Sequence, residues 1–187
     1  MIALGVTGHR RLAEVGKVAA GVDRAFEHVV AAFGSMPAAV VSCLAEGADR
    51  LVVQRALALG VSTLVAVLPL PADDYVDDFV SPDSKHEFRS LLARADRVIM
   101  SGPTGTRTEA YAAAGYALVN ASRILLAVWD GEQARGRGGT GTVVEAARTR
   151  GLPLAWVHAG SPDPVTHEPR SLGERQGTVT VERLPPR

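Results

Sequence analysis

The sequence predicts a single α/β domain in which a mostly parallel sheet is covered by helices on both faces. Short apolar runs alternate with longer segments whose apolar residues recur at helical spacing. The runs are almost wholly apolar, as in residues 123–129, and strands that alternate with helices and are buried on both faces have this composition. With 187 residues, the chain has the length of one domain with a full-sized core.

The first part of the chain contains three predicted strands, over residues 2–6, 38–43 and 61–68. Two helices are predicted between them, over residues 15–33 and 50–59. Gly34 and Pro37 end the first helix, because glycine and proline do not continue a helical backbone. Gly60 caps the second helix. Pro69 and Pro71 end the third strand.

Three further strands are predicted over residues 97–100, 123–129 and 153–157, and three helices over residues 84–95, 108–121 and 142–150. Residues 72–83 are acidic and typical of turns. After Gly160 the composition changes to proline, threonine, glutamate and arginine. We therefore expect the main domain to cover residues 1–160, and residues 161–187 to form a loop-rich tail with an edge strand over residues 177–184.

The overall composition excludes several classes of protein. The formal net charge is zero, so it gives no reason to expect a nucleic-acid or membrane partner. One cysteine, Cys43, excludes a disulfide framework and a cysteine-rich zinc site. The chain has no signal-peptide pattern and no apolar run of about 20 residues, which predicts a cytoplasmic location. The histidines lack zinc-ligand spacing, and we expect no metal and no cofactor.

Unusual residues are concentrated in the turns that follow the predicted strands. In a parallel α/β sheet, ligands bind outside the carboxyl ends of the strands, near the point where the strand order reverses. These turns are Thr7-Gly8-His9-Arg10, Glu46-Gly47-Ala48-Asp49, residues 101–107 and residues 136–142. Their position predicts that a ligand site is built from several of them.

The most distinctive turn is Gly138-Gly139-Thr140-Gly141-Thr142, which directly precedes a predicted helix. Glycines allow close approach of a ligand to the backbone, and the first turn of a helix offers free N–H groups and a dipole that favours an anion. A phosphate is the expected occupant. The alternative is structural: Thr142 caps the helix, Glu145 completes a capping box, and the glycines only form a turn.

Other residues in these turns have a functional and a structural interpretation. His9 and Arg10 either contact the ligand or belong to an exposed polar turn. Glu46 is expected to bind ribose hydroxyls, whereas Asp49 is expected to stabilise the first turn of a helix. Asp130 ends the fifth strand and is expected to contact ligand or water. Two more cations stand before the glycine-rich turn and either bind a second phosphate or are solvated, Arg135 and Arg137.

Residues 138–145 read Gly-Gly-x-Gly-Thr-x-x-Glu, which resembles the signature of the "Lonely Guy" phosphoribohydrolases, also called lysine decarboxylase-like proteins. These belong to a wider group of Rossmann-like nucleotide-binding domains that includes the DNA-processing protein A family. The turns after the first and second strands, and Trp129-Asp130-Gly131, are similar to those of the group. The resemblance covers roughly residues 1–158. It implies a Rossmann-like three-layer α/β/α domain, a nucleotide-like small molecule as ligand and a homodimer.

The resemblance also implies a reaction, the hydrolysis of the N-glycosidic bond of a nucleoside 5′-monophosphate, with Glu145 as the catalytic carboxylate. Two positions depart from the family pattern. Arg137 replaces the proline that begins the motif, and the helix over residues 108–121 lacks the catalytic arginine. Arg107 or Arg89 would then have to take that role.

Three functions therefore remain open from the sequence. The first is binding of a nucleotide or nucleotide-derived phosphate ligand, and the second is the phosphoribohydrolase reaction. The third is a structural or oligomerising domain whose glycine-rich turn has no ligand. The missing arginine on residues 108–121 favours binding over catalysis.

Overall fold

A computed structural model describes residues 2–102, 105–133 and 138–185. Seven strands form one sheet: β1 Ala3–Gly8, β2 Ala39–Ser42, β3 Thr63–Leu68, β4 Arg97–Met100, β5 Ile124–Trp129, β6 Leu154–His158 and β7 Val179–Glu182. Their order across the sheet is β4-β3-β2-β1-β5-β6-β7. The first six strands run parallel, and β7 pairs with β6 in the antiparallel direction.

Helices cover both faces of this sheet. Their bounds are α1 Val15–Phe33, α2 Ala48–Ala58, α3 Ala72–Tyr75, α4 Pro82–Ala93, α5 Arg107–Ala121 and α6 Thr140–Thr149. The apolar faces of α1, α2 and α4 share one buried cluster, to which they contribute Val22, Val52 and Phe88. The apolar faces of α5 and α6 share a second cluster through Leu118 and Val144. The predicted three-layer α/β/α class, with a single domain and a mostly parallel sheet, is therefore confirmed.

Burial of the strands explains why they could be recognised as apolar runs in the sequence. All six residues of β5 are buried, because helices from both layers pack against this central strand. Each fully buried aliphatic side chain contributes about 1.5 to 3 kcal/mol relative to an exposed one, so a polar residue in β5 would be costly. The edge strand β7 instead has two exposed residues, Thr180 and Val181, between two half-buried ones, and none of its four residues is fully buried.

The strand order creates a crevice at one edge of the sheet. The chain runs outward from β1 to β4, and α5 then carries it back across the opposite face to β5, which pairs with β1. The connections that leave β1 and β5 therefore diverge to opposite faces at their carboxyl ends. This topological switch point is where ligands bind in open α/β sheets.

Three local predictions differ from the structure. Residues 72–83 contain α3 and a 3-10 helix over Val76–Asp78, where only turns were predicted. Tyr75 and Phe79 anchor this segment by packing edge to face, at 5.0 Å between ring centres. The helix α6 begins at Thr140, with Gly139 as its N-cap residue, so Thr142 lies inside the first turn. The expected capping box between Thr142 and Glu145 is therefore wrong.

The C-terminal segment after Gly160 packs against the beginning of the chain. The side chain of Gln176 is buried and donates a hydrogen bond to the carbonyl of Ala13 at 2.8 Å. Its amide oxygen accepts from the N–H groups of Gly160 and Leu172, both at 3.1 Å. One side chain thus fastens residues 161–176 to the connection between β1 and α1.

Two features are absent from the described residues. None of their helices combines the length and the apolar composition needed to cross a membrane. No group of three or more histidine, cysteine, aspartate or glutamate side chains is arranged there to hold a metal ion.

Candidate functional site

A cleft of about 340 Å³ lies at the carboxyl end of β1, at the switch point of the sheet. The β1–α1 turn forms one side of it with Thr7, Gly8, His9 and Arg10. The opposite side is formed by α5 and by the beginning of α6, through residues that include Gly138, Gly139 and Thr140. The structure therefore brings two of the predicted turns, which are more than 120 residues apart in sequence, to the same cleft.

Backbone hydrogen bonds place the β1–α1 turn. The N–H of His9 donates to the carbonyl of Val128 in β5 at 3.1 Å, and the carbonyl of His9 accepts from the N–H of Ala48 at 3.0 Å. The first bond extends the sheet beyond β1, and the second joins the turn to the start of α2. Gly8 is required at this point, since a Cβ atom there would stand 2.4 Å from that of Ala48.

The wall opposite Arg10 is the N-terminus of α6. Gly138 adopts φ 85°, a left-handed conformation that glycine accepts without strain, and its backbone lies against Tyr111 of α5. The first intrahelical bonds run from the N–H groups of Thr142 and Val143 to the carbonyl of Gly139. The preceding amides, of Thr140 and Gly141, belong to the first helical turn, where N–H groups and the dipole favour an anion.

An arginine and a tyrosine form the mouth of the cleft. The guanidinium of Arg10 lies 5.5 Å from the centre of the Tyr111 ring. Arg10 is exposed, and its guanidinium makes no hydrogen bond or ion pair with the residues that the structure describes. Tyr111 is held from behind, because its hydroxyl hydrogen-bonds to the carboxylate of Asp78. Tyr111 was not among the site residues predicted from the sequence, although it is visible there as an aromatic residue on a helix of small residues.

A carboxylate forms part of the floor. Asp49 is buried, and its Oδ2 atom accepts a hydrogen bond from the hydroxyl of Ser42 at 3.0 Å. Desolvation raises the pKa of Asp49 from 3.8 to about 6, against the opposing effects of the Ser42 hydroxyl, two backbone N–H groups and Arg10. Asp49 was expected to have only a structural role at the start of a helix. In the structure its titratable carboxyl group also lines the cleft.

The thiol of Cys43 also lines the cleft. Burial raises the pKa of this thiol above its ordinary value, and the neighbouring Asp49 carboxylate raises it further. The neutral thiol is therefore the stable form. This argues against a nucleophilic role for Cys43, because nucleophilic cysteines have lowered pKa values.

Two expected site residues of the second turn do not face the cleft. The carboxylate of Glu46 accepts a hydrogen bond from the hydroxyl of Ser84 on α4, on the other side of the turn. Gly47 adopts φ 77° and packs its backbone against the carbonyls of His9 and Arg10. The turn thus supports the β1–α1 turn, and only its Asp49 and Ala45 reach the cleft.

The three residues expected to act in catalysis lie outside the cleft. Glu145 is exposed on α6, and Arg89 is exposed on α4. Arg107 forms an ion pair with Asp78 at 3.0 Å, and it donates a hydrogen bond to the carbonyl of Asp74 at 3.0 Å. None of these three side chains therefore lines the cleft. Arg135 and Arg137 lie outside the described residues.

Asp130 lies beside the cleft, where its backbone N–H donates to Nε2 of His9 at 3.2 Å. Its carboxylate accepts from the N–H of Glu132 at 2.9 Å and lies 3.5 Å from the same histidine nitrogen. Two other expected site residues, Gly141 and Thr142, do not line the cleft themselves. They come directly after Gly138, Gly139 and Thr140, which do.

Comparison with known proteins gives structural similarity only. No protein-family model matches the sequence, and no curated protein matches it. A solved structure of DNA processing protein A from Helicobacter pylori, described for its single-stranded DNA binding mode, matches with a TM-score of 0.57 and 17% identity. The match covers 90% of this chain and 68% of that one. The fold resembles that of DNA processing protein A.

A second solved structure, DNA processing protein A from Streptococcus pneumoniae, matches with a TM-score of 0.55 and 18% identity. It covers 82% of this chain, but this chain spans only about half, 49%, of the pneumococcal protein. At these identities the matches establish a Rossmann-like fold. The fold therefore agrees with the Rossmann-like class expected from the sequence, whereas membership of the Lonely Guy or lysine decarboxylase-like proteins is not shown.

These neighbours correct the functional expectations. The expected free nucleotide or nucleotide-derived phosphate ligand, the phosphoribohydrolase alternative and the exclusion of nucleic acid are wrong, because a protein with this fold is described as binding single-stranded DNA. The physical error lies in the use of net charge. A total of zero averages over the whole chain, whereas attraction of a phosphate backbone depends on where cations such as Arg10 are placed. The homodimer stays a prediction.

Proposed function

We propose that this domain binds single-stranded nucleic acid along the carboxyl edge of its sheet. The observation that carries the proposal is the Arg10 guanidinium, which lies 5.5 Å from the Tyr111 ring centre without an ion-pair partner among the described residues. Proteins bind single strands by combining cations that attract phosphates with flat groups on which bases stack. Arg10 and Tyr111 supply both at the mouth of one cleft.

The shape and charge of the cleft suggest how a nucleotide is oriented. The first turn of α6, with the amides of Thr140 and Gly141, favours a phosphate on the wall opposite Arg10. The Asp49 carboxylate on the floor repels a phosphate and accepts hydrogen bonds. A base or sugar therefore fits the interior, and the phosphates stay at the rim between Arg10 and α6.

The glycine-rich turn keeps its expected role as a phosphate-binding element in this proposal. Its similarity to the Lonely Guy signature is then a similarity of phosphate-binding turns, and no hydrolysis is proposed, since Glu145 is exposed outside the cleft. The cytoplasmic location expected from the sequence is retained as part of the proposal.

The direct test is fluorescence anisotropy with labelled oligothymidylate at several salt concentrations. We expect Arg10→Ala to lower the affinity about 10-fold or more, because a hydrogen bond to a charged group contributes about 1.5 to 3 kcal/mol. The slope of log affinity against log salt should fall by about 0.7, the value for one phosphate contact with a single strand. Arg94→Ala is the matched control, because Arg94 is exposed at the end of α4, just before β4 and at the opposite edge of the sheet.

A second pair of variants tests stacking. Tyr111→Phe removes the hydroxyl that contacts Asp78 and keeps the ring, whereas Tyr111→Leu removes the aromatic face. We expect the leucine variant alone to lose about 1 to 3 kcal/mol of binding, roughly 5- to 150-fold in affinity. Absence of binding by the wild-type chain at low salt, or equal binding by wild type and Arg10→Ala, would overturn the proposal.

A further inference from the structure

A second depression adjoins the cleft. It has a volume of about 400 Å³ and is lined by His9, Arg10, Arg11, Pro162 and His167. His9 and Arg10 line the cleft as well, so the two depressions share a rim. The lining of this basic groove contains two guanidinium groups and two imidazoles, and no carboxylate among the described residues.

A hairpin over residues 162–169 forms the outer wall of the basic groove. Pro162 and Pro169 pair in the antiparallel direction. Between them, the carboxylate of Asp163 accepts from the N–H groups of Thr166 and Val165, at 2.9 and 2.8 Å, and pairs with Arg170. These contacts lower the pKa of Asp163, and the largest effect is that of the Thr166 N–H, followed by that of Arg170. Of the two acidic residues of the hairpin, Asp163 is thus engaged within it, whereas Glu168 is exposed and does not line the groove.

His167 is presented to the groove by this turn. It adopts φ 59°, a left-handed conformation, and its N–H donates to the carbonyl of Asp163 at 2.9 Å. Its own carbonyl accepts from Nη1 of Arg11 at 3.1 Å. Arg11 is therefore positioned by one of its five N–H donors, and the others remain available to an anion.

The hairpin is held in place by the segment that follows it. Gln176 joins this segment to the carbonyl of Ala13, and the hydroxyl of Ser171 donates to the carboxylate of Glu14. Lys17 also donates to the carbonyl of Gly173, at 3.4 Å. The C-terminal segment, which the sequence predicted to be loop-rich, is thus a fixed wall of the groove.

We propose that the basic groove is a second phosphate subsite, which binds the backbone phosphate next to the nucleotide held in the cleft. The inference rests on the proposed function, since the two depressions are continuous through Arg10. A single strand that leaves the cleft past Arg10 meets Arg11 next. Arginine suits this position because its planar fork matches the oxygens of a phosphate.

The test compares two substitutions of His167 that differ only in charge. Asparagine and aspartate have the same shape and both accept left-handed backbone, so His167→Asn and His167→Asp preserve the turn and the carbonyl that holds Arg11. Binding of a dithymidylate, whose single phosphate joins its two nucleosides at the cleft, and of a 12-residue oligothymidylate is measured by fluorescence anisotropy at low and high salt. Arg11→Ala, with Arg94→Ala as control, is measured beside them.

We expect His167→Asp to bind the 12-residue strand about 3- to 10-fold more weakly than His167→Asn at low salt, with a smaller difference at high salt. The two variants should bind the dithymidylate equally, because it has no second phosphate to reach the groove. Arg11→Ala should lower affinity for the longer strand and reduce its salt slope by about 0.7.

Equal binding of the 12-residue strand by His167→Asp and His167→Asn overturns the second subsite. In that case Arg10-dependent binding of both strands by the wild-type chain leaves the proposed function intact. Equal affinity of the wild-type chain for the short and long strands also overturns it, since the strand then makes no contact beyond the cleft. If the wild-type chain binds neither strand, both proposals fail.

Discussion

The Nε2 atom of His9 accepts a hydrogen bond from the backbone N–H of Asp130 at 3.2 Å. The two residues follow β1 and β5, the strands on either side of the switch point. The bond therefore closes one side of the crevice in which the cleft lies. His9 borders both the cleft and the basic groove, so the bond holds its ring at the boundary between them.

The side chain of Asp130 gives the first prediction. Asp130→Asn keeps the backbone N–H and an oxygen for the N–H of Glu132, but it removes a negative charge close to the proposed phosphate path. We expect the affinity for oligothymidylate to rise about two- to fivefold at low salt, with the free energy of unfolding changed by less than about 0.5 kcal/mol. Anisotropy titrations and urea unfolding measure the two quantities. A loss of affinity would instead support Asp130 as a ligand contact.

The buried carboxyl of Asp49 gives a pH-dependent prediction. Its pKa is raised to about 6 in the folded chain from 3.8, so the folded state binds a proton more strongly than the unfolded state. Stability from this group is fully present below about pH 4 and is lost as the pH rises through about 6. The loss is on the order of 3 kcal/mol at most, because each pKa unit corresponds to about 1.4 kcal/mol.

Urea unfolding of wild type and Asp49→Asn between pH 4 and 7.5 checks this behaviour. The nearby groups are Ser42, Cys43, Arg10 and Tyr75, and all of them are present in both proteins. Asparagine loses an acceptor at every pH, whereas the cost of the buried charge grows with pH. We therefore expect the stability of the variant relative to wild type to increase across this window. A difference that stays constant with pH would contradict the raised pKa.

Local sequence patterns were enough to predict the fold. The helix over residues 15–33 and the strand over residues 97–100 have the predicted bounds, and every other strand overlaps its prediction. Periodicity and glycine or proline stops are properties of neighbouring residues, so they are visible without the tertiary structure. Two of the turns that follow predicted strands line the same cleft, the turn from Thr7 to Arg10 and the turn that begins at Gly138, and their role in binding stays a prediction.

Side-chain directions were not predictable in the same way. Glu46 and Asp49 belong to one turn, yet Glu46 points to Ser84 and Asp49 lines the cleft. Arg107 likewise turns to Asp78, which belongs to a segment that was predicted only as turns. Each outcome depends on a partner brought by another element. The exclusion of nucleic acid was wrong for a related reason. The net charge of the chain carries no information on where Arg10 and Arg11 lie.

The structural role of Gly47 gives the third prediction. A Cβ atom there would stand 2.3 Å from the carbonyl oxygen of Arg10 and 2.6 Å from that of His9, and its φ of 77° is itself strained for other residues. We expect Gly47→Ala to lower the free energy of unfolding by about 2 kcal/mol or more, from backbone strain and overpacking together. Gly34→Ala is the control, since Gly34 has φ 75° and open space around its Cβ position. Equal destabilisation of both variants would show that the contact with the β1–α1 turn is unimportant.

The last prediction concerns Gln176, which holds the C-terminal wall of the basic groove. Gln176→Leu leaves the carbonyl of Ala13 and the N–H groups of Gly160 and Leu172 without this partner. Each unsatisfied buried polar group costs about 1 to 3 kcal/mol, so we expect a loss of at least about 2 kcal/mol in urea unfolding. Affinity for the 12-residue oligothymidylate should fall more than affinity for the dithymidylate, because the hairpin that carries His167 loses its anchor. Gln54→Leu is the matched control, since Gln54 is exposed and its side chain bonds, within the described part of the chain, only to Glu87. If Gln176→Leu is as stable as this control, the segment after Gly160 is not held by the buried amide.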